Sequence, residues 1–396
     1  MDTQSANSPF RLTGKRHRAE LEPNETAARS TCLYRKPLGS SSVPESYDKA
    51  RDPEVQANAN APEKSADAKD PDKSADAKSP EKSADMDAYL LDQEELTYDQ
   101  VRNPRLFAKD RGALWQQNPH PRDEHIFMHE GRHKYYVNWH GDGKYSSRDV
   151  VSASGFASTY FSKFDAVAIS ARLAPRRGCR PEDLRAEWDR ARDEGTRNHA
   201  VLEHYFNGDP IPSDMETWPV FQQFDQFVQE YIRPRGLEQC RVEWQLFSGP
   251  DLRLVGTVDL VCALPDEQQS AWPDKLKVVL LDHKFSKGIR KTGFGGKMGT
   301  GPCKGLPDCN YSKYSLAMRL YRYLLETTLS NVTFKGRTYK GIEVVAMGLD
   351  VFHASHDDNR YKFYEVPLND PVFETAFAQM LQLRRQQVMM QRLCRT

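Results

Sequence analysis

The chain has 396 residues, 56 basic and 56 acidic side chains, and 38% apolar content, which allows one large or two modest folded units. Its seven cysteines fall at irregular spacing and form no disulfide framework, so reduced thiols are expected. Nothing approaches the roughly 18 consecutive apolar residues of a membrane span. The N-terminus, MDTQSANSPFRLTGKRHR, lacks the apolar run of a secretory signal, so a soluble, intracellular protein with no membrane partner is expected. Lys15, Arg16, His17 and Arg18 form a short basic run that reads either as a nuclear address or as plain solvated charge.

Residues 1–95 are rich in Ser, Ala, Asp, Lys and Pro, and from residue 62 a nine-residue unit recurs as PEKSADAKD, PDKSADAKS and PEKSADMDA. Such a segment has too little aromatic and branched apolar content to offset the entropy of ordering it, so a long disordered tail is expected, with folding from about Leu96. Residues 96–396 hold 42 basic and 37 acidic side chains, a mild surplus that suits contact with an anionic polymer.

In chain order, residues 133–139 (HKYYVNW) read as a strand and 152–173 as helical segments with an aromatic face. Pro181, Glu182 and Asp183 suit a first helical turn, and Gly195 with Thr196 predicts a break before a second helix over 198–206, with His199 and Glu203 on one face. A third amphipathic helix is expected over 221–232, then strands over 240–247, 254–264 and 276–283. After a Gly- and Lys-rich connection come a helix over 314–328, strands over 342–352 and 361–366, and a terminal helix over 371–395. This order suggests a mixed sheet flanked by helices, an α/β (α+β mixed) fold.

Chemistry concentrates on the three central strands. Because a strand turns alternate side chains to one face, Asp282 and Lys284 project together while His283 points away. Asp259 follows the small pair Gly256 and Thr257 on the preceding strand, and Glu243 shares a face with Gln245 on the strand before that. Converging carboxylates can hold a hard divalent cation, and an adjacent lysine can orient a water, which is the chemistry of phosphodiester hydrolysis. An isolated acid, a second acid and a D-x-K tripeptide also describe ordinary solvated strand charges.

With GTRNHAVLEHYFNG (residues 195–208), VEWQLF (242–247), LVGTVDLV (254–261), LLDHK (280–284) and YSLAMRLYRYLLE (314–326) in this order, the chain resembles the PD-(D/E)XK nuclease superfamily. The likeness is to its RecB and lambda-exonuclease-like branch, as seen in phages and large DNA viruses, and it spans roughly residues 120–370. It implies a restriction-endonuclease-like core over 191–370, an N-terminal elaboration over 96–190 and a C-terminal helix over 371–396. It also implies Mg²⁺ or Mn²⁺ held by Asp259, Asp282, His199 and the backbone carbonyl of His283. Glu243 would be catalytic or serve a second metal, Glu203 and Tyr314 would support the site from behind, and Lys284 would position the attacking water rather than act as base. The implied activity is exonuclease or flap-type DNA processing in replication, recombination or repair, on single-stranded or duplex ends, in the nucleus or cytoplasm of a host cell if the protein is viral. Relatives carry a glutamine where the best register here places Ala317, so either Tyr314 or Arg319 substitutes, or the protein is a weakened or inactive DNA-binding or assembly protein on the same fold.

Lys287, Arg290, Lys291, Lys297 and Lys304 follow Lys284 with no acid before Asp308, and such a loop suits a DNA backbone or is simply solvated. Its GFGGKMGTG is no P-loop, since no glycine lies five residues before Gly296 and Met298 follows Lys297, so no nucleotide cofactor is expected. His125, His129 and His133, and Cys303, Cys309 and Cys394, read as structural or exposed rather than as metal sites.

Overall fold

The computed structural model describes residues 87–107, 112–211, 215–269, 274–356 and 358–395. The basic run of the expected tail, and its repeats up to residue 86, therefore lie outside the described residues. Helical structure is present upstream of the boundary expected at residue 96. Residues 87–92 are helical and Leu91 is buried. The Leu91 carbonyl accepts hydrogen bonds from Lys134 Nζ (2.7 Å) and Tyr136 Oη (3.0 Å), so a segment with the composition of a tail is held by the sheet it lies on.

That sheet is small and antiparallel, made of β1 (Glu95–Thr97), β2 (Ile126–His129), β3 (Lys134–Val137) and β4 (Lys144–Ser146) in the order β1-β4-β3-β2. Its core is aromatic, with Phe127, Tyr136 and Tyr145 around Leu96 and Val101. A buried pair ties it to the rest of the fold. Arg241 donates to Asp123 Oδ2 at 2.9 Å, and Trp244 Nε1 donates to Asp123 Oδ1 at 3.0 Å.

The central sheet has six strands. β5 (Val151–Ser152) lies parallel to β7 (Leu254–Ala263), β6 (Glu238–Phe247) and β8 (Lys275–Phe285) pair antiparallel with β7, β11 (Gly341–Phe352) runs parallel to β8, and β12 (Lys362–Glu365) closes the far edge. A minor hairpin, β9 (Val332–Phe334) with β10 (Arg337–Tyr339), precedes β11. The interior strands are almost wholly buried, as expected of a sheet covered on both faces.

Helices α1 (Ala153–Ser158), α2 (Ala166–Arg177), α3 (Pro181–Asn207), α4 (Pro219–Phe227), α5 (Asn310–Thr328) and α6 (Pro371–Leu393) supply the outer layers. Leu316, Leu320 and Leu324 of α5 and Phe377 and Met380 of α6 fill one side of the sheet. Leu202 and Phe206 of α3 with Phe224 and Phe227 of α4 fill the other. The mixed sheet flanked by helices is thus as the element order suggested. The expected break at Gly195 is absent, because α3 runs unbroken through it. A Cβ at Gly195 would meet open space, and Thr196 turns its Oγ1 back to the Arg192 carbonyl at 3.3 Å instead of ending the helix. The boundary expected at residues 190–191 therefore falls inside one helix, and β5 from the N-terminal part is a strand of the central sheet. Among the described residues no helix is long and apolar enough to cross a membrane.

Candidate functional site

The site forms where the β7–β8 ladder stops. The last paired residues are Leu260 and Leu281, and one step beyond them stand Asp259 and Asp282. There the ladder's role passes to a side chain, because Asp259 Oδ2 accepts the backbone N–H of His283 at 2.7 Å. As the period of two requires, Lys284 returns to the face of Asp282. Its Nζ lies 2.6 Å from Asp282 Oδ2 and 4.0 Å from Asp259 Oδ2, and donates to the His283 carbonyl at 3.0 Å.

His283 turns the other way, into the apolar layer. Its ring stacks on Phe206, and its Nδ1 meets Asp350 Oδ2 of β11 at 2.5 Å, with both side chains fully buried. Burial opposes a charge on this imidazole, but the Asp350 carboxylate wins and holds its pKa above the ordinary value. Asp350 was not anticipated. A lone acid inside the apolar run of β11 is the signal that could have found it.

Two further elements bring side chains to the cluster. α3 carries His199 over the strand ends, with Nδ1 3.7 Å from Asp259 Oδ2 and 3.7 Å from Glu243 Oε1. Burial lowers the His199 pKa, but Asp259 and Glu243 outweigh it and leave it raised. Glu243 reaches the cluster from β6 through a backbone turned to φ 45°, a left-handed conformation that a glutamate adopts at a cost. That turn also breaks the strand's alternation, and it accounts for Arg241 and Trp244 both reaching Asp123. Donor atoms of His199, Glu243 and Asp259 all lie within 4.8 Å of one another. One imidazole and two carboxylates at this spacing fit a divalent cation of the Mg²⁺ or Mn²⁺ type, with the imidazole favouring Mn²⁺.

Of the expected ligands, then, Asp259 and His199 converge, Glu243 joins them, and Asp282 is held by Lys284 beside them. Burial raises the Asp282 pKa, with Lys284 opposing and Asp259 adding to the rise. Burial disfavours the charge on Lys284, yet Asp282 and Asp259 raise its pKa well above that of a free amine, so it stays an ammonium. Glu203 lines a narrow cleft with Glu243 and Gln245. Tyr314 lies beneath the ammonium, 5.2 Å from ring centre to Lys284 Nζ.

Ala317 is buried in the core on α5. Arg319 cannot stand in for a glutamine there, because its guanidinium is committed to Glu374 (2.9 Å) and the Pro367 carbonyl (2.7 Å), facing α6. Tyr321, one turn beyond Ala317, packs where a side chain at Gly256 would be, since a Cβ there would stand 2.5 Å from its ring. Tyr135 shares a 2.9 Å hydrogen bond with Thr257, and burial pushes its phenol up to about 12. Tyr135 lies in the strand expected over 133–139, but no sequence pattern assigns it a role, and its partner is 122 residues away.

Lys287, Arg290, Lys291, Lys297 and Lys304 are all exposed. The loop that carries them is folded back on itself by Gly299 N–H to Leu306 O (2.9 Å) and Asp308 N–H to Lys297 O (2.9 Å). Lys291 stands over the rings of Tyr311 and Tyr364. His125 and His129 accept or donate local hydrogen bonds to Asn138 O and from the Arg132 N–H, and Cys303 is buried against Met380. No protein-family model and no curated protein matches this chain, so its function has to be argued from these residues.

Proposed function

We propose that the chain is a divalent-metal-dependent deoxyribonuclease with a restriction-endonuclease-like core, which hydrolyses DNA phosphodiester bonds in an exonuclease or flap-type role. The observation that carries this reading is the convergence of His199, Glu243 and Asp259 beside the Asp282–Lys284 pair. His199, Glu243 and Asp259 would hold the cation. Bound there, Mg²⁺ or Mn²⁺ would supply Lewis acidity, neutralising charge on a phosphate and making water a better nucleophile.

The protein's own groups divide the remaining work. Lys284, kept charged by Asp282 and Asp259, has no lone pair to take a proton. It donates hydrogen bonds, orients the attacking water and neutralises charge that builds on the phosphoryl oxygens. The proton lost by that water needs a base, and that role falls to the Asp282 carboxylate, whose Oδ2 lies 2.6 Å from the Lys284 ammonium that orients the water. Tyr314 seals the ammonium from below, and the Asp259 bond to the His283 amide fixes the strand ends between which the phosphate would sit. Ala317 supports a second reading, a DNA-binding protein on the same fold that does not cleave, because it offers no hydrogen bond where relatives of the resembled family place a glutamine.

The deciding experiment incubates end-labelled single-stranded and duplex DNA with the full chain in Mg²⁺, Mn²⁺ or EDTA. Metal-dependent cleavage is expected to fall on the order of 100-fold or more in Asp282→Asn and in Lys284→Ala. Cleavage that survives either substitution sinks the site assignment, and salt-sensitive binding without any cleavage favours the second reading.

A further inference from the structure

An open groove of about 770 Å³ lies between the start of α2 and the basic loop, bounded by the first turn of α5. Space of this size takes one or two nucleotides rather than a single ion. Two aromatic rings stand free in its lining, Phe164 at 67% and Phe294 at 69% exposure. Single exposed phenylalanines are ordinary, but two facing one groove are not explained by core packing. Phe164 is braced edge-on by Trp188 of α3, 5.2 Å between centroids, and Arg172 stands 5.6 Å from the Phe294 ring.

The lining of the groove is net positive, although Asp308 pairs with Lys313 at 3.2 Å. Lys163, Arg172, Arg290, Lys297 and Lys313 line it, against Asp165 and Asp308. Both acids have structural duties, since Asp165 caps α2 through the Ala168 N–H at 2.9 Å and Asp308 accepts the Ser162 N–H at 3.0 Å. Cations that follow a backbone and bare rings that offer a face are the two parts of a single-strand binding track. A duplex keeps its base faces stacked inside and would leave both rings unused. The groove and the candidate site share α5, because Lys313 in the groove wall precedes Tyr314, whose ring lies under Lys284.

We infer that this groove binds a single strand of DNA, with bases stacked on Phe164 and Phe294 and phosphates on the surrounding lysines and arginines, and so leads one strand to or from the site. The inference rests on the nuclease reading for its biological sense but not for its test. Fluorescence anisotropy of labelled oligo-dT and of a blunt duplex of equal length, in EDTA so that nothing is cleaved, measures binding alone. The full chain is expected to prefer oligo-dT. Phe164→Ala and Phe294→Ala should each weaken that binding about tenfold, while Trp at either position preserves it. Arg290→Ala with Lys297→Ala should lower the salt slope by about 1.4. Equal affinity for duplex, or oligo-dT binding unchanged in the double alanine variant, overturns the groove. Both rings are exposed, so folding is not at stake, and a circular dichroism melt checks it. If the wild type cleaves with metal but the ring variants bind and cleave as it does, the groove falls and the nuclease stands. If the ring variants lose binding and no cleavage occurs, the reverse holds.

Discussion

Asp259 accepts the main-chain N–H of His283 across the gap where β7 and β8 part, at 2.7 Å, while the same oxygen stands 3.7 Å from His199 Nδ1. One carboxylate therefore serves the fold and the cluster together, and substitutions can separate the two duties. Asp259→Asn keeps an acceptor for the amide but loses the charge, so the variant should melt like the wild type while losing Mn²⁺ binding measured by calorimetry. Asp259→Ala leaves a buried N–H unpaired and should cost about 1–3 kcal/mol of stability in addition, read from denaturant unfolding.

Glu243 pays for its position with a left-handed backbone. Glycine adopts φ 45° without a Cβ penalty, so Glu243→Gly should be as stable as the wild type or more so, by about 1 kcal/mol, and yet lose metal affinity and cleavage. Glu243→Ala should lose the same affinity without the gain in stability. Thermal melts paired with metal titration check both, and a Glu243→Gly variant that still binds metal removes this residue from the cluster.

The buried His283–Asp350 pair makes stability depend on pH with a definite sign. His283 has a raised pKa in the folded state, so its contribution is complete below the ordinary imidazole value of about 6.5 and is lost as pH rises through the raised one. Asp350→Asn removes the main cause of the rise. The stability gap between wild type and Asp350→Asn should thus be largest near pH 6, about 3 kcal/mol, and narrow at alkaline pH. Melting curves from pH 5.5 to 9 measure it, and a gap that widens with pH contradicts the assignment.

Truncations locate the start of the folded unit. Removing residues 1–86 should leave the melting temperature and any cleavage unchanged. Removing residues 1–95 also takes away Leu91 and one of the three β1 pairs, and should cost about 2 kcal/mol for the lost apolar burial alone.

How much of this was legible depended on the range of each interaction. Asp282, Lys284 and His283 were readable because a strand's period of two is local, and three buried strands in succession announced themselves by Val and Leu runs. Glu243 was assigned to the right strand and the right sheet edge by regular alternation, which does not reveal the left-handed backbone at that residue. Asp350 and Tyr135 act across strands far apart in sequence, so no spacing revealed them. Leu91 was misplaced because composition describes an average over a segment, while its backbone is held by two donors, Lys134 and Tyr136, that composition does not see. Gly195 misled because a glycine in an exposed turn of helix costs only about 1 kcal/mol, which a long packed helix absorbs.

The unbroken course of α3 has a mechanical meaning. Trp188 braces Phe164 at the groove, and His199 stands over the strand ends 11 residues later, about 16 Å along the same rod. With no kink or hinge between them, the two positions turn and slide as one piece. One helix therefore fixes both the brace behind Phe164 and the imidazole beside Asp259.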